Sequence, residues 1–310
     1  MPGVFRFKEL IPPFFVFIIV EVAWLSPVRP SCYECLFVFI KDIMSRFIPL
    51  SSDLHQGKGW LKPADHSYIA GQSAIPLVAE ELPHALSTMP TGFRQQQDGS
   101  YELVAVCSLD EQRNLFVHPD GRWIGSYRPA SVRAYPFQLL HNQEQKQYVL
   151  GIDEDSGLVL DNVGDQGHPF FDEQGQPAEQ LGQLIKFLTK YEQQRRTTQK
   201  AVNILSSLGL IMPWKINMAT QEGAPLQALE GLYRIDEQAL RELPVDRLDA
   251  LRQVSAFPII YGQLFSQHRL DVLIRLYRLH KNWTQQDPSK VDLESLFDSG
   301  DDSISFEFDD

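Results

Sequence analysis

Between Asn114 and Phe137 (NLFVHPDGRWIGSYRPASVRAYPF) three arginines and three aromatics lie close together: Arg122, Trp123, Tyr127, Arg128, Arg133 and Tyr135. A guanidinium presents a planar fork of donors that matches a carboxylate or phosphate, and rings beside it supply an apolar wall. In a chain of net charge −12 these six residues form the candidate anion or aromatic-ligand pocket. The competing reading, and the preferred one, is structural. The arginines then pair with Asp153, Glu154 and Asp155 after a neighbouring strand, or lay their stems along the rings. His118-Pro119-Asp120 offers a second chemistry. With His141, His168 or His268 folded back upon it, it would have the ligand types of a two-histidine, one-carboxylate iron site. His118 is also simply the first residue of a Pro-Asp-Gly turn, so no metal and no cofactor are expected. No G-x-S-x-G elbow, convincing Cys/His pair, Walker A loop or G-x-G-x-x-G is present, and no catalytic residue is assigned.

The elements around these residues follow from periodicity. Asp120-Gly121 between two β-prone runs predicts a hairpin. On its second strand Trp123, Gly125 and Tyr127 would share one face, with Gly125 leaving a gap. Strands are expected at Tyr101–Leu109 and Gln147–Ile152. A short strand followed by a helical turn ending before Pro83 is expected at 74–83. From Pro177 the period changes: Leu181, Leu184, Ile185, Leu188, Val202, Leu205 and Leu208 mark one helix closed by Gly209. Its polar middle, Glu192–Lys200, reads as solvated rather than partner-facing. Pro213–Ala219 and Leu226–Ile235 read as a hairpin about Gln221-Glu222-Gly223. Asp236 then caps a run of short helices: 237–243, 245–254, 258–265 and 269–280. The fold class is α+β. The N-terminal half is β-rich, with short antiparallel strands and hairpins, and the C-terminal half is helical and includes one long helix.

Charge and composition divide the chain further. With 310 residues and 43% hydrophobic content it can bury a sizeable core. Residues 287–310 hold nine acids against Lys290, so they read as a disordered acidic tail, and Phe306 and Phe308 within it are candidate docking residues for a protein partner. The body is then only mildly acidic, and no basic face suits nucleic acid. Residues 1–43 contain two apolar runs, 11–25 and 35–40, that are too short or too interrupted for a span of about 20 residues. Three readings stay open: an over-extended start before Met44, which is preferred; a signal or membrane anchor; or a structured extension. A membrane is a partner only if this segment is real, and the expected location is the cytoplasm if Met44 is the native start, otherwise the envelope. The domain of interest spans 44–286. Cys32-x-x-Cys35 is a weak metal or redox signal, and Cys107 reads as a core residue.

The central segment resembles the SapC family of bacteria. The residues that carry the resemblance are Asn114, Leu115, Phe116, Val117, Asp120, Gly121, Arg122, Trp123, Tyr127, Pro129, Arg133, Tyr135, Pro136 and Phe137. Pro76-Leu77-Val78-Ala79-Glu80-Glu81 fits the family's opening P-L-V-A-x-E pattern. Leu232–Glu237 and Ile259–Ser266 continue it, with Gln263 where related chains often carry histidine. The resemblance implies a non-catalytic binding or accessory protein, linked by name to the surface layer. Family members often stand beside TonB-dependent receptors and flavin-dependent halogenase-like proteins, which implies nutrient uptake or metabolite modification. The same name is used for a permease, but this chain lacks the long apolar spans a permease needs. The alternatives are an enzyme acting on a small acidic or aromatic metabolite and a surface-layer component.

Overall fold

The computed structural model describes residues 47–109, 113–142, 147–164, 167–216 and 230–283. All belong to Phe47–Asp310, the second of the two units into which the chain divides. The readings placed on the N-terminal apolar runs, Cys32-x-x-Cys35, the Gln221–Gly223 turn and the acidic tail with Phe306 and Phe308 lie outside the described residues.

The fold is α+β. Its first half is built from β1 (Phe47–Pro49), α1 (Ser52–His55), β2 (Gly59–Trp60), β3 (Ala74–Pro76), α2 (Leu82–Ala85), β4 (Thr91–Gln95), β5 (Tyr101–Val106), α3 (Ala130–Ala134), β6 (Phe137–Asn142), β7 (Gln147–Asp153), β8 (Val159–Leu160) and β9 (His168–Pro169). Then come α4 (Glu179–Ser207), β10 (Ile211–Pro213), β11 (Leu232–Ile235), α5 (Glu237–Arg241), α6 (Val245–Gln253), α7 (Phe257–Ser266) and α8 (Leu270–Trp283). The strands form three antiparallel sheets, ordered β10-β11-β4-β5-β3, β1-β7-β6 and β8-β2-β9. Among the described residues no helix is long and apolar enough to cross a membrane.

An Asp-Gly hairpin joins β4 and β5, but at Asp98-Gly99 rather than Asp120-Gly121. Gly99 has φ +82°, and the Asp98 carboxylate accepts the Ser100 N–H at 2.9 Å. That positive φ is what a tight turn demands. Pro83 does not end the helical turn before it, as the 74–83 reading expected. It sits in the first turn of α2, where no backbone N–H is required. Pro177 likewise precedes the long helix and pairs with Phe171 in an isolated bridge.

The long helix α4, about 44 Å at 1.5 Å per residue, serves two cores. Its first half buries Leu181 and Leu188 with Trp60, Phe137, Ile152 and Phe170. Its second half buries Ala201, Val202 and Leu205 in the main core, with β3, β4, β5, α7 and α8. Burying each such large apolar side chain contributes about 1.5–3 kcal/mol, so the helix ties the two cores together through packing. Its polar middle is not simply solvated. Glu192 accepts the Tyr148 hydroxyl at 2.8 Å, Thr198 accepts the Ala79 N–H at 2.9 Å, and Gln199 donates to the Tyr101 carbonyl at 2.7 Å. Asp236 caps α5 as expected, accepting the Ala239 N–H. Cys107 is fully buried, and burial pushes its thiol far above the ordinary range.

Candidate functional site

The central segment is pinned to its surroundings residue by residue. Leu115, Phe116 and Val117 all enter the main core. The side chain of Asn114 accepts the Phe116 N–H at 3.0 Å, and its own backbone N–H donates to the Ala70 carbonyl at 2.7 Å. The turn follows: Gly121 N–H donates to the His118 carbonyl and His118 N–H to the Arg122 carbonyl, both at 2.8 Å. Gly121 has φ +87°, and a Cβ there would stand 2.7 Å from Asp65. Only glycine satisfies both the conformation and the approach. The expected hairpin therefore exists as a turn with one isolated bridge, Val117 to Trp123, and not as two strands. Without a second strand, Trp123, Gly125 and Tyr127 do not form a strand face.

On the outward side of this turn lie the six candidate residues, and each has a neighbour within the protein. Arg122 pairs with Asp120 of its own turn at 2.7 Å. Arg128 donates to His66 Nε2 at 3.2 Å, and burial first, then the Arg128 charge, hold the His66 imidazole below its ordinary value. Arg133 donates to the Arg128 carbonyl and lies over the Tyr127 and Phe187 rings, 5.8 and 5.2 Å from their centroids. Trp123 stacks on Phe116 and donates to the Tyr127 carbonyl at 2.9 Å. Tyr135 stacks flat on Tyr68 at 4.0 Å and donates to Asp153. Burial, then Asp153, push its hydroxyl up to about 12. The acids after β7 were expected to take arginines; here Asp153 takes the tyrosine, while Arg122 takes Asp120.

Tyr127 leads inward to a residue that the site reading missed. Glu81, 5% exposed, accepts the Tyr127 hydroxyl at 2.7 Å, the Ala130 N–H at 2.6 Å and the Val78 N–H at 3.0 Å. Burial, then this carboxylate, raise the Tyr127 hydroxyl well above the ordinary phenol range. The acid that ends the opening P-L-V-A-x-E pattern thus ties that pattern to the central one. Gln263 does comparable work elsewhere, accepting the Ile235 N–H and donating to the Thr91 carbonyl, so β11 and β4 are bridged to α7.

The inward side of the turn opens on a cavity of about 580 Å³. Arg113, Asn114, Val117, His118 and Pro119 form one wall, Ser67, Ala70 and Gly71 a second, and His280 and Trp283 of α8 a third. None of the six outward residues lines it. His118 Nδ1 lies 2.8 Å from Asp120 Oδ1. Desolvation acts to raise the Asp120 carboxyl, but the Arg122 backbone N–H and guanidinium, then His118, outweigh it and hold the group at about 2. The Trp283 indole is fixed edge-to-face by His118 at 4.4 Å and His280 at 4.8 Å. His280 Nε2 lies 3.1 Å from the Leu115 carbonyl. The Trp283 indole N–H is buried and has no hydrogen-bond partner.

The sequence offers His118 as a metal ligand or, preferably, as the first residue of a turn, and gives no role to Arg113, His280 or Trp283. None of His141, His168 and His268 lines this cavity; the histidine that joins His118 is His280. Among the described residues no group of three or more His, Cys, Asp and Glu could hold a metal ion. His280 continues the helical stripe of Leu273, Leu276 and Tyr277 and reads as ordinary helix, while the helix runs on to Trp283, three residues past its expected end.

No curated protein and no solved structure matches the chain. The family comparison does match: the model described as SapC covers residues 50–273, taking in the Glu81 node, the central turn, the long helix and all of the cavity lining but His280 and Trp283, and the chain belongs to the SapC family.

Proposed function

We propose that this chain is a binding protein whose site is the cavity between the Arg113–Pro119 loop and α8, and that it acts as an accessory to a process rather than as its catalyst. One observation carries the reading. The Trp283 ring, held between His118 and His280, forms a wall of a cavity whose volume falls in the ligand-sized range of about 300–1,000 Å³. The setting implied by the family resemblance, a bacterial cell in which such chains stand beside TonB-dependent receptors, would make this an accessory to nutrient uptake or to the envelope.

The test is native mass spectrometry of the protein purified from its own cells. The expected result is a non-covalent small-molecule adduct, lost on Trp283→Phe, with a melting temperature that falls when the adduct is stripped. A bare mass under gentle ionisation, with no thermal shift on denaturing and refolding, overturns the reading.

A second reading, an enzyme acting on a small acidic or aromatic metabolite, is favoured by the 2.8 Å approach of Asp120 to His118 Nδ1. A carboxylate so placed orients an imidazole as a general base. It predicts that the bound molecule is turned over and that His118→Gln stops turnover while leaving binding intact.

A further inference from the structure

We propose that the cavity takes a small monocarboxylate carried on a flat apolar body, with Arg113 as partner of the carboxylate and the Trp283 indole as the wall against which the body lies. The inference rests on the binding reading above and adds to it the chemical class of the ligand.

Charge points to an anion. The chain carries 40 acids against 28 Lys and Arg, yet the described lining contains no Asp or Glu and does contain a guanidinium and two imidazoles. Among the described residues Arg113 pairs with no carboxylate, and it lines the cavity. The number of donors points to a carboxylate rather than a phosphate. His118 Nδ1 is already engaged with Asp120, His280 Nε2 with the Leu115 carbonyl and the Ser67 hydroxyl with the Asp65 carboxylate, which leaves one guanidinium. A single planar fork matches a planar monoanion, whereas a phosphate dianion wants more than one cation.

Shape points to a flat body. Val117, Pro119, Ala70 and the indole supply apolar wall, and the two histidine rings hold the indole plane before any ligand arrives. A wall fixed in advance costs little ordering on binding, which is how rigid rings add affinity.

The experiment titrates the full-length protein with 2-naphthoate, 2-naphthamide and inorganic phosphate, by calorimetry and tryptophan fluorescence. Naphthoate is expected to bind at least about tenfold more tightly than naphthamide, the difference one charge-assisted hydrogen bond makes. Arg113→Gln should abolish that preference with an unchanged melting temperature, and Arg113→Lys should restore part of it. Trp283→Phe should weaken both aromatic probes. Equal affinity for acid and amide, insensitive to Arg113→Gln, overturns the anionic assignment while the cavity stands as a site. Phosphate displacing naphthoate at lower concentration overturns the carboxylate. If no probe binds but the natural protein carries an adduct, the ligand class is wrong and the binding reading survives. If no probe binds and no adduct is found, both fall.

Discussion

Glu81 and Trp283 are equally sheltered, each 5% exposed, and each presents a polar group to a mostly apolar surrounding. Their situations are otherwise opposite. The Glu81 carboxylate receives three donors, Val78 from its own stretch of chain and Tyr127 and Ala130 from the central segment. The Trp283 N–H donates to no group among the described residues, and its ring lines the cavity. A buried polar group whose partners are all supplied by the protein has its work inside the fold. A buried donor left unpaired costs about 1–3 kcal/mol that the fold does not recover. Trp60 has an unpaired indole N–H too, but it lies in the small core against Phe137 and His168. At Trp283 the ring that carries the unpaired donor also lines the cavity.

The largest effect expected from this contrast is at Glu81. Glu81→Ala leaves the Tyr127 hydroxyl and two backbone N–H groups without acceptors in a dry site. The expected loss is about 3–5 kcal/mol of stability, measured by chemical denaturation. Near-native stability would mean that water replaces the carboxylate, and the distinction drawn between the two sites would collapse.

A smaller effect sharpens the same contrast on the outward side of the turn. Arg133 packs on two rings, and Arg133→Ala should cost about 0.5–1.5 kcal/mol through lost stem packing and cation–π contact. Arg122 is 63% exposed in its pair with Asp120, and Arg122→Ala should cost well under about 1 kcal/mol. Neither change should alter the affinity of an aromatic carboxylate. A loss of binding in either variant at an unchanged melting temperature would return the site to the outward cluster.

The sequence shows the reasons for both outcomes unevenly. The long helix was legible because Leu181, Leu188, Val202 and Leu205 keep one period across two cores. The strand at β7 and the cap at Asp236 were legible for the same local reason. The hairpin of β4 and β5 was missed although Asp98-Gly99 carries its signal, because Thr91–Gln95 alternates weakly. The central segment was recognisable as special, but which of its faces mattered was not. Arginines and aromatics that look like a pocket in one dimension are each taken up by a neighbour, such as Phe187 from α4 or His66 from an earlier loop. The cavity instead draws on Ser67, Arg113 and Trp283, more than 200 residues apart at the extremes. No local pattern marks an indole that will be left unpaired when the chain closes.

Asp120 touches both faces, and its titration gives the smallest and most specific test. One carboxylate oxygen meets Arg122 outside, and the other meets His118 at the cavity wall. Its folded pKa of about 2 lies below the ordinary aspartate value of 3.8. The unfolded chain therefore takes up this proton first as pH falls. The contribution of Asp120 is complete above about pH 4 and is lost between there and about pH 2. The melting-temperature difference between the natural protein and Asp120→Asn should be constant from pH 5 to pH 8 and shrink across that acid window. A difference that stays flat down to pH 2 would show that the carboxylate makes neither contact in solution. If Asp120→Asn also leaves carboxylate affinity unchanged, His118 serves the cavity as a wall; a weakened affinity at pH 7 would show that the turn, through Asp120, holds the imidazole in place for the ligand.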